Sequence, residues 1–301
     1  MSALNGQVLH RGGYAYSVHW SGAFATPQDA VDMALRAKLR GLLLKASDGN
    51  ATISADGTLP WWSNFQALAP AAMAAGLDVI PWLCVYPGDG EAGAGFLVNL
   101  KNAVALTGAK CVVLEPPMTT WAGTASAETA AQAVMAAAAQ AVPGVQFLLA
   151  CWGNPAAAGA SFPWAAFNPA TVSVLPELYW SAYSSLGTPG AIWNRYWFWL
   201  EAQASQPASV IPTFDFPQAA AFSALAPNEG APTIAWWLLD DMTTAYADVL
   251  AGLPYAAALT PAPAVTTDPT PTPPAPDVAA ARAAIAQAEA YLQQADSALG
   301  G

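Results

Sequence analysis

Apolar residues in this chain come in short unbroken runs rather than in alternation. Eight runs stand out: "YAYSVHW" (14–20), "GLLLKAS" (41–47), "LDVIPWLCVY" (77–86), "KCVVLE" (110–115), "VQFLLACW" (145–152), "VSVLPELYW" (172–180), "SVIPTFDF" (209–216) and "TIAWWLLD" (233–240). Each is followed by a segment of helical character, beginning near Pro27, Pro60, Glu91, Ser126, Pro163, Pro189, Pro217 and Thr243. A strand that is apolar at successive positions is buried on both faces, as in a parallel sheet covered by helices. Eight strand–helix units over about 14–253 predict a (β/α)8 TIM barrel, a fold of about 250 residues. A doubly wound open sheet is the alternative. It would carry a Gly-rich phosphate turn after its first strand, and "HWSGAFATP" has no GxGxxG.

The helix starts carry local signals. In "TPQDAVDMALRAKL", Thr26 is placed to cap, Pro27 to occupy the first helical position and Asp29 to supply an acidic first turn. "SAETAAQAVMAAAAQAV" begins on Ser126 and is rich in the best helix former. In "WNRYWFWL", Trp193, Trp197 and Leu200 have helical spacing and read as a buried face.

The pattern changes after residue 255. A Pro/Thr/Ala-rich linker (256–276) contains "TPAPAVTTDPTPTPPAP" with seven prolines, which predicts an extended, semi-rigid spacer. In the last segment, 277–301, Val278, Ile285, Leu292 and Leu299 recur every seven residues. Ala281, Ala288 and Ala295 fall three positions after the first three of these. This is the seam of a short coiled coil or amphipathic helix, with Asp277 as its cap. It predicts a homo-oligomer or docking on a larger protein assembly; folding back on the barrel is the other possibility. The expected division is a barrel at 1–255, a spacer and an assembly helix.

Composition narrows the partners. Only 10% of residues are charged, nine are Lys or Arg, and the net charge is −11. No basic footprint exists for nucleic acid, and no apolar run is long enough to insert in a membrane. The opening stretch has no apolar core, so no secretory signal is expected in it. Cys84, Cys111 and Cys151 each sit in an apolar run and read as buried free thiols. No metal or organic cofactor is implied.

In a (β/α)8 barrel, chemistry sits where the strands end. The polar and aromatic residues there are His19, Lys45, Ser47, Asp48, Trp82, Tyr86, Asp89, Glu115, Trp152, Asn154, Glu177, Tyr179, Asp215, Trp236 or Trp237, Asp240 and Asp241, with Trp121 in the loop after strand four. Period-two alternation places Cys111, Val113 and Glu115 on one face, and Glu177 with Tyr179. Paired carboxylates beside aromatic rings suit glycoside hydrolysis: one protonates the leaving oxygen and the other is nucleophile or base. Thirteen Trp supply faces for sugars to stack on. The candidate catalytic residues are Glu115, Glu177 and, in reserve, Asp215. Lys45, Trp82, Tyr86, Trp152, Tyr179 and Asp240 are candidates to bind substrate. Each has a plainer reading. Lys45 pairs with Glu115 or Glu177, Asp215 caps the seventh helix, and Asp240 and Asp241 cap the eighth.

The pieces "GLLLKASDG", "VIPWLCVY", "VVLEPPMTTWAG" and "VLPELYW" resemble the glycoside-hydrolase-like (β/α)8 barrels found among lysozyme-type and phage-associated proteins. In such barrels strand four ends in Asp-x-Glu and strand six in Pro-Gln-x-Tyr. Glu115 takes the glutamate place and Tyr179 the tyrosine place, but Val113 stands for the aspartate and Glu177 for the glutamine. The resemblance implies a carbohydrate-engaging or structural barrel in an extracellular, virion or cell-surface assembly. The alternative is an active retaining or inverting hydrolase of peptidoglycan or polysaccharide, in which Glu177 replaces the lost acid.

Overall fold

The structure is a computed structural model that describes residues 9, 12–54, 57, 59–91, 93–122, 126–153, 162–201, 211–228 and 233–253. The spacer and the heptad-patterned segment lie outside the described residues, as does Asn154. Eight parallel strands close into one barrel in sequence order. They are β1 (Gly12–Ser17), β2 (Gly41–Asp48), β3 (Asp78–Cys84), β4 (Cys111–Glu115), β5 (Gln146–Trp152), β6 (Ser173–Glu177), β7 (Thr213–Asp215) and β8 (Thr233–Trp237), and β8 pairs back on β1. The helices are α1 (Trp20–Ala23), α2 (Pro27–Arg36), α3 (Trp61–Ala74), α4 (Gly95–Thr107), α5 (Met118–Ala122), α6 (Ala127–Ala141), α7 (Trp164–Ala170), α8 (Trp180–Tyr183), α9 (Pro189–Glu201), α10 (Ala219–Asn228) and α11 (Thr244–Ala251).

The unbroken apolar runs are explained by two cores. Alternate strand residues fill the barrel: Tyr14, Tyr16, Leu43, Ile80, Trp82, Cys111, Val113, Leu148, Leu175 and Ala235. Their neighbours face the helices in a larger layer, where Leu42, Leu83, Val112, Leu149, Val174 and Trp236 meet Phe65, Phe96, Val134, Phe167 and Phe222. The lower end carries a polar contact: Asp78 accepts from the Tyr14 hydroxyl at 2.8 Å and pairs with Arg40 at 3.1 Å.

Several local expectations are met. Thr26 and Asp29 form a reciprocal capping box on α2. Trp193 is fully buried in α9, while of Trp197 and Leu200 only the backbone is described. All three cysteines are buried and none forms a disulfide. Other boundaries shift. β1 stops at Ser17, and Trp20 opens α1 with its indole nitrogen donating to the Asn64 carbonyl. α4 starts at Gly95 rather than Glu91. Ser126 precedes α6 in a left-handed conformation and makes no side-chain cap. Gly90 is required by packing: a Cβ there would meet the Val134 backbone nitrogen at 2.7 Å. No helix among the described residues is long and apolar enough to cross a membrane.

Candidate active site at the barrel mouth

The strand ends bring Glu115 and Glu177 to one mouth. Each is the last residue of its strand, and each lies above an apolar inward residue, Val113 and Leu175. Glu115 is opposite Cys84 in the β3–β4 register, and Glu177 is opposite Trp152 in the β5–β6 register. The close approach of β5 and β6 depends on Gly153, where a Cβ would stand 2.3 Å from the Glu177 carbonyl oxygen.

Glu115 is held by its neighbours. One carboxylate oxygen accepts from the Trp82 indole at 2.7 Å and lies 3.7 Å from the Cys84 thiol. Trp82 is only 2% exposed. It therefore orients Glu115 from behind and presents no free face. The expected Lys45–Glu115 or Lys45–Glu177 ion pair is replaced by Lys45–Asp48, at 3.6 Å. The cause is a break in the β2–β3 register between Lys45 and Ser47. A bulge re-aims a side chain, and here Asp48 joins Lys45 on the mouth side, where it also accepts from the Tyr86 hydroxyl. The Lys45 ammonium is 3.2 Å from Cys84 Sγ and 4.8 Å from the ring centres of both Trp61 and Trp82.

The two acids titrate in different surroundings. Burial raises Glu115, while Lys45 and the Trp82 and Cys84 hydrogen bonds pull it back. Glu177 is pushed up to about 8, first by burial and then by the charge of Glu115, against the single opposing bond of the Tyr179 hydroxyl. More of the partners that favour a negative charge surround Glu115, so of the two acids Glu177 is the one whose surroundings favour the protonated form more. Burial pulls Lys45 down, but Cys84, Asp48 and Glu115 outweigh it and keep its pKa above the ordinary value. The Cys84 thiol is itself pushed far up by burial. The carboxylates of Asp48 and Glu115 are therefore what hold the ammonium charged.

Four rings form a wall beside this pair. Tyr16 meets Trp82 edge-on at 5.1 Å and Trp237 at 5.6 Å, Trp82 meets Trp237 at 5.8 Å, and Tyr179 lies 6.0 Å from Trp237. Tyr16 and Trp82 are buried, whereas Trp237 and Tyr179 are partly open. Trp152, on the rim of β5, is 36% exposed. Of the two Trp ending β8, Trp237 faces the mouth and Trp236 packs outward against Phe214. Trp121 is fully buried, with its indole donating to the Val85 carbonyl at 2.8 Å.

The remaining strand-end acids are engaged with backbone. Asp215 accepts from the amides of Trp180 and Ser181 at 2.7 and 2.8 Å, so it caps α8 rather than the helix that follows β7. Asp240 accepts from Ser17 Oγ and from the amides of Val18 and His19, at 2.6, 2.8 and 2.6 Å. It fastens the exit of β8 to the exit of β1, and α11 is capped by Thr243 instead. Asp89 accepts from the Tyr86 amide at 2.7 Å, and burial raises it to about 6. Sequence reasoning missed Tyr16, Cys84 and Trp61 as neighbours of the pair. For Tyr16 and Cys84 a signal existed: each follows the inward alternation of its strand. Among the described residues no group of three His, Cys, Asp or Glu is arranged to hold a metal ion.

No protein-family model and no curated protein matches the sequence. Solved structures match in fold. A GH18 chitinase from Pseudoalteromonas aurantia superposes with a TM-score of 0.55 at 12% identity, over 80% of this chain and 98% of that one. A chitinase from Chromobacterium violaceum ATCC 12472 gives 0.54 at 10% identity, over 80% and 98%. The Bacillus cereus spore cortex-lytic enzyme SleL gives 0.52 at 12% identity, over 80% and 73%. The likeness is one of fold.

Proposed function

We propose that this glycoside-hydrolase-like (β/α)8 barrel engages carbohydrate at its mouth, against Trp237 and Tyr179 and beside Glu115 and Glu177. The observation that carries the reading is the pairing of partly open rings with two inward carboxylates. Rings stack on the apolar faces of sugars and carboxyl groups take their hydroxyls. That combination of aromatic lining and a few convergent polar groups is the usual make-up of a small-ligand site. The neighbours in fold include chitinases and a spore cortex-lytic enzyme, so chitin oligosaccharides and peptidoglycan fragments head the panel. Calorimetry on that panel should find a binder, and Trp237→Ala should weaken it at least tenfold. If no glycan in the panel binds, the reading fails.

A second reading, hydrolysis, is favoured by the unequal surroundings of the pair. A protonated Glu177 can give its proton to a glycosidic oxygen, while an ionised Glu115 attacks the sugar or activates water. Val113 weighs against turnover, because it puts an apolar side chain where related barrels keep an acid. Release of reducing ends by the wild type, lost in Glu115→Gln, would support it; equal signal from both would remove it.

We further propose that residues 256–301 tether the barrel to a virion or cell-surface assembly. Deleting 260–301 should leave a folded monomer that no longer attaches or oligomerises. Normal assembly of the truncated form would refute the tether.

A further inference from the structure

We infer that the mouth selects glycans carrying free ammonium groups, such as oligomers of de-N-acetylated hexosamine, over their N-acetylated and neutral counterparts. This rests on the carbohydrate reading above and names the sugar class.

Three observations carry it. The first is charge. Asp48, Glu115 and Glu177 converge on the mouth, and Lys45 is the cation set against them. Its ammonium is already committed to Asp48 at 3.6 Å and to Cys84 at 3.2 Å. Glu177 has the Tyr179 hydroxyl as its hydrogen-bond partner and feels Glu115 as a like charge. Beside a neutral sugar that charge favours the protonated form of Glu177, whereas an ammonium supplies a countercharge and favours ionisation of both acids.

The second is the rings. Tyr16, Trp82, Trp237 and Tyr179 are linked by centroid distances of 5.1 to 6.0 Å. An aromatic wall beside a carboxylate is the arrangement that recognises organic cations. The protein demonstrates this capacity on itself: the Lys45 ammonium sits 4.8 Å from the ring centres of Trp61 and Trp82. Trp237 and Tyr179, on the open side, offer the same chemistry to a ligand. The third is the chain's net charge of −11, which draws a cationic polymer toward the surface before any specific contact forms.

The test is calorimetry with three oligosaccharides of equal length, built from glucosamine, N-acetylglucosamine and glucose. It uses the full chain at pH 6, where the amines are charged. The glucosamine oligomer should bind at least tenfold tighter than either of the others. That excess should shrink as sodium chloride is raised, while the glucose oligomer is unaffected. In the double variant Glu115→Gln/Glu177→Gln the preference for the glucosamine oligomer should fall to parity, over and above any loss of affinity common to all three oligomers. Tighter or equal binding of the N-acetylated oligomer overturns the inference and leaves the carbohydrate reading standing. So does an amine preference that survives unchanged in the double variant, because the attraction would then belong to the general surface charge. Failure of all three to bind, together with an empty glycan panel, removes the carbohydrate reading and this inference with it.

Discussion

Replacing Glu177 by glutamine should change how stability depends on pH, and the size of the change follows from where the residue sits. The ordinary value for such a carboxyl is 4.5, and burial beside Glu115 raises it to about 8 in the fold. Below pH 4.5 both folded and unfolded chains hold the proton, and the residue is neutral to the balance. Between the two values the folded chain keeps a proton that the unfolded chain has released. Stability therefore falls as pH rises, by about 1.4 kcal/mol per pH unit for one proton. Across the window the loss reaches about 4–5 kcal/mol. Glutamine fills the same space without a proton to lose, so Glu177→Gln should match the wild type near pH 4 and exceed it increasingly toward pH 8. Removing Glu177 also relieves Glu115, which acts in the same direction. Asp89, raised to about 6, gives its own decline at lower pH, but it is present in both proteins and cancels in the difference. Urea unfolding followed by tryptophan fluorescence at half-unit steps from pH 4 to 9 measures this directly. Parallel stability curves for the two proteins would refute the buried, mutually repelling pair.

Other perturbations test the frame around the pair. Asp215→Ala strips two backbone amides at the start of α8 of their charged acceptor and should cost about 3 kcal/mol in urea unfolding. Gly90→Ala forces a Cβ to within 2.7 Å of the Val134 backbone nitrogen; overpacking of this kind should cost about 1–3 kcal/mol, seen as a lowered Tm. Thr26→Ala opens the capping box of α2 and should cost about 1 kcal/mol, without altering glycan affinity.

The barrel was legible because burial on both faces leaves a local mark: unbroken apolar runs, each followed by a helix start. Alternation within a strand was enough to place Val113 and Glu115 on one face and Glu177 with Tyr179 at one mouth. What stayed illegible was non-local or irregular. The Lys45–Asp48 pair depends on a register break that period-two reasoning cannot see. Asp215 and Asp240 find their backbone partners 34 or 35 and 221 or 222 positions away, and a backbone amide has no sequence signature. Trp82 was read as cleft lining, yet it lies two residues below the end of β3. One step of that strand turns a ring that meets ligand into one that braces a carboxylate.

The fastening of β8 to β1 also bears on how the chain is made. Asp240 meets Ser17 across 223 positions of sequence, so the cylinder closes only with its last strand. At ribosomal speeds of about 5–20 residues per second, roughly 10–45 s separate the emergence of the two halves of that clasp. Throughout this interval the outer edge of β1 has no partner, in a chain with few charges to discourage edge-to-edge association. Recombinant yield should therefore respond to chaperone supply and growth temperature more than the stability of the finished barrel suggests.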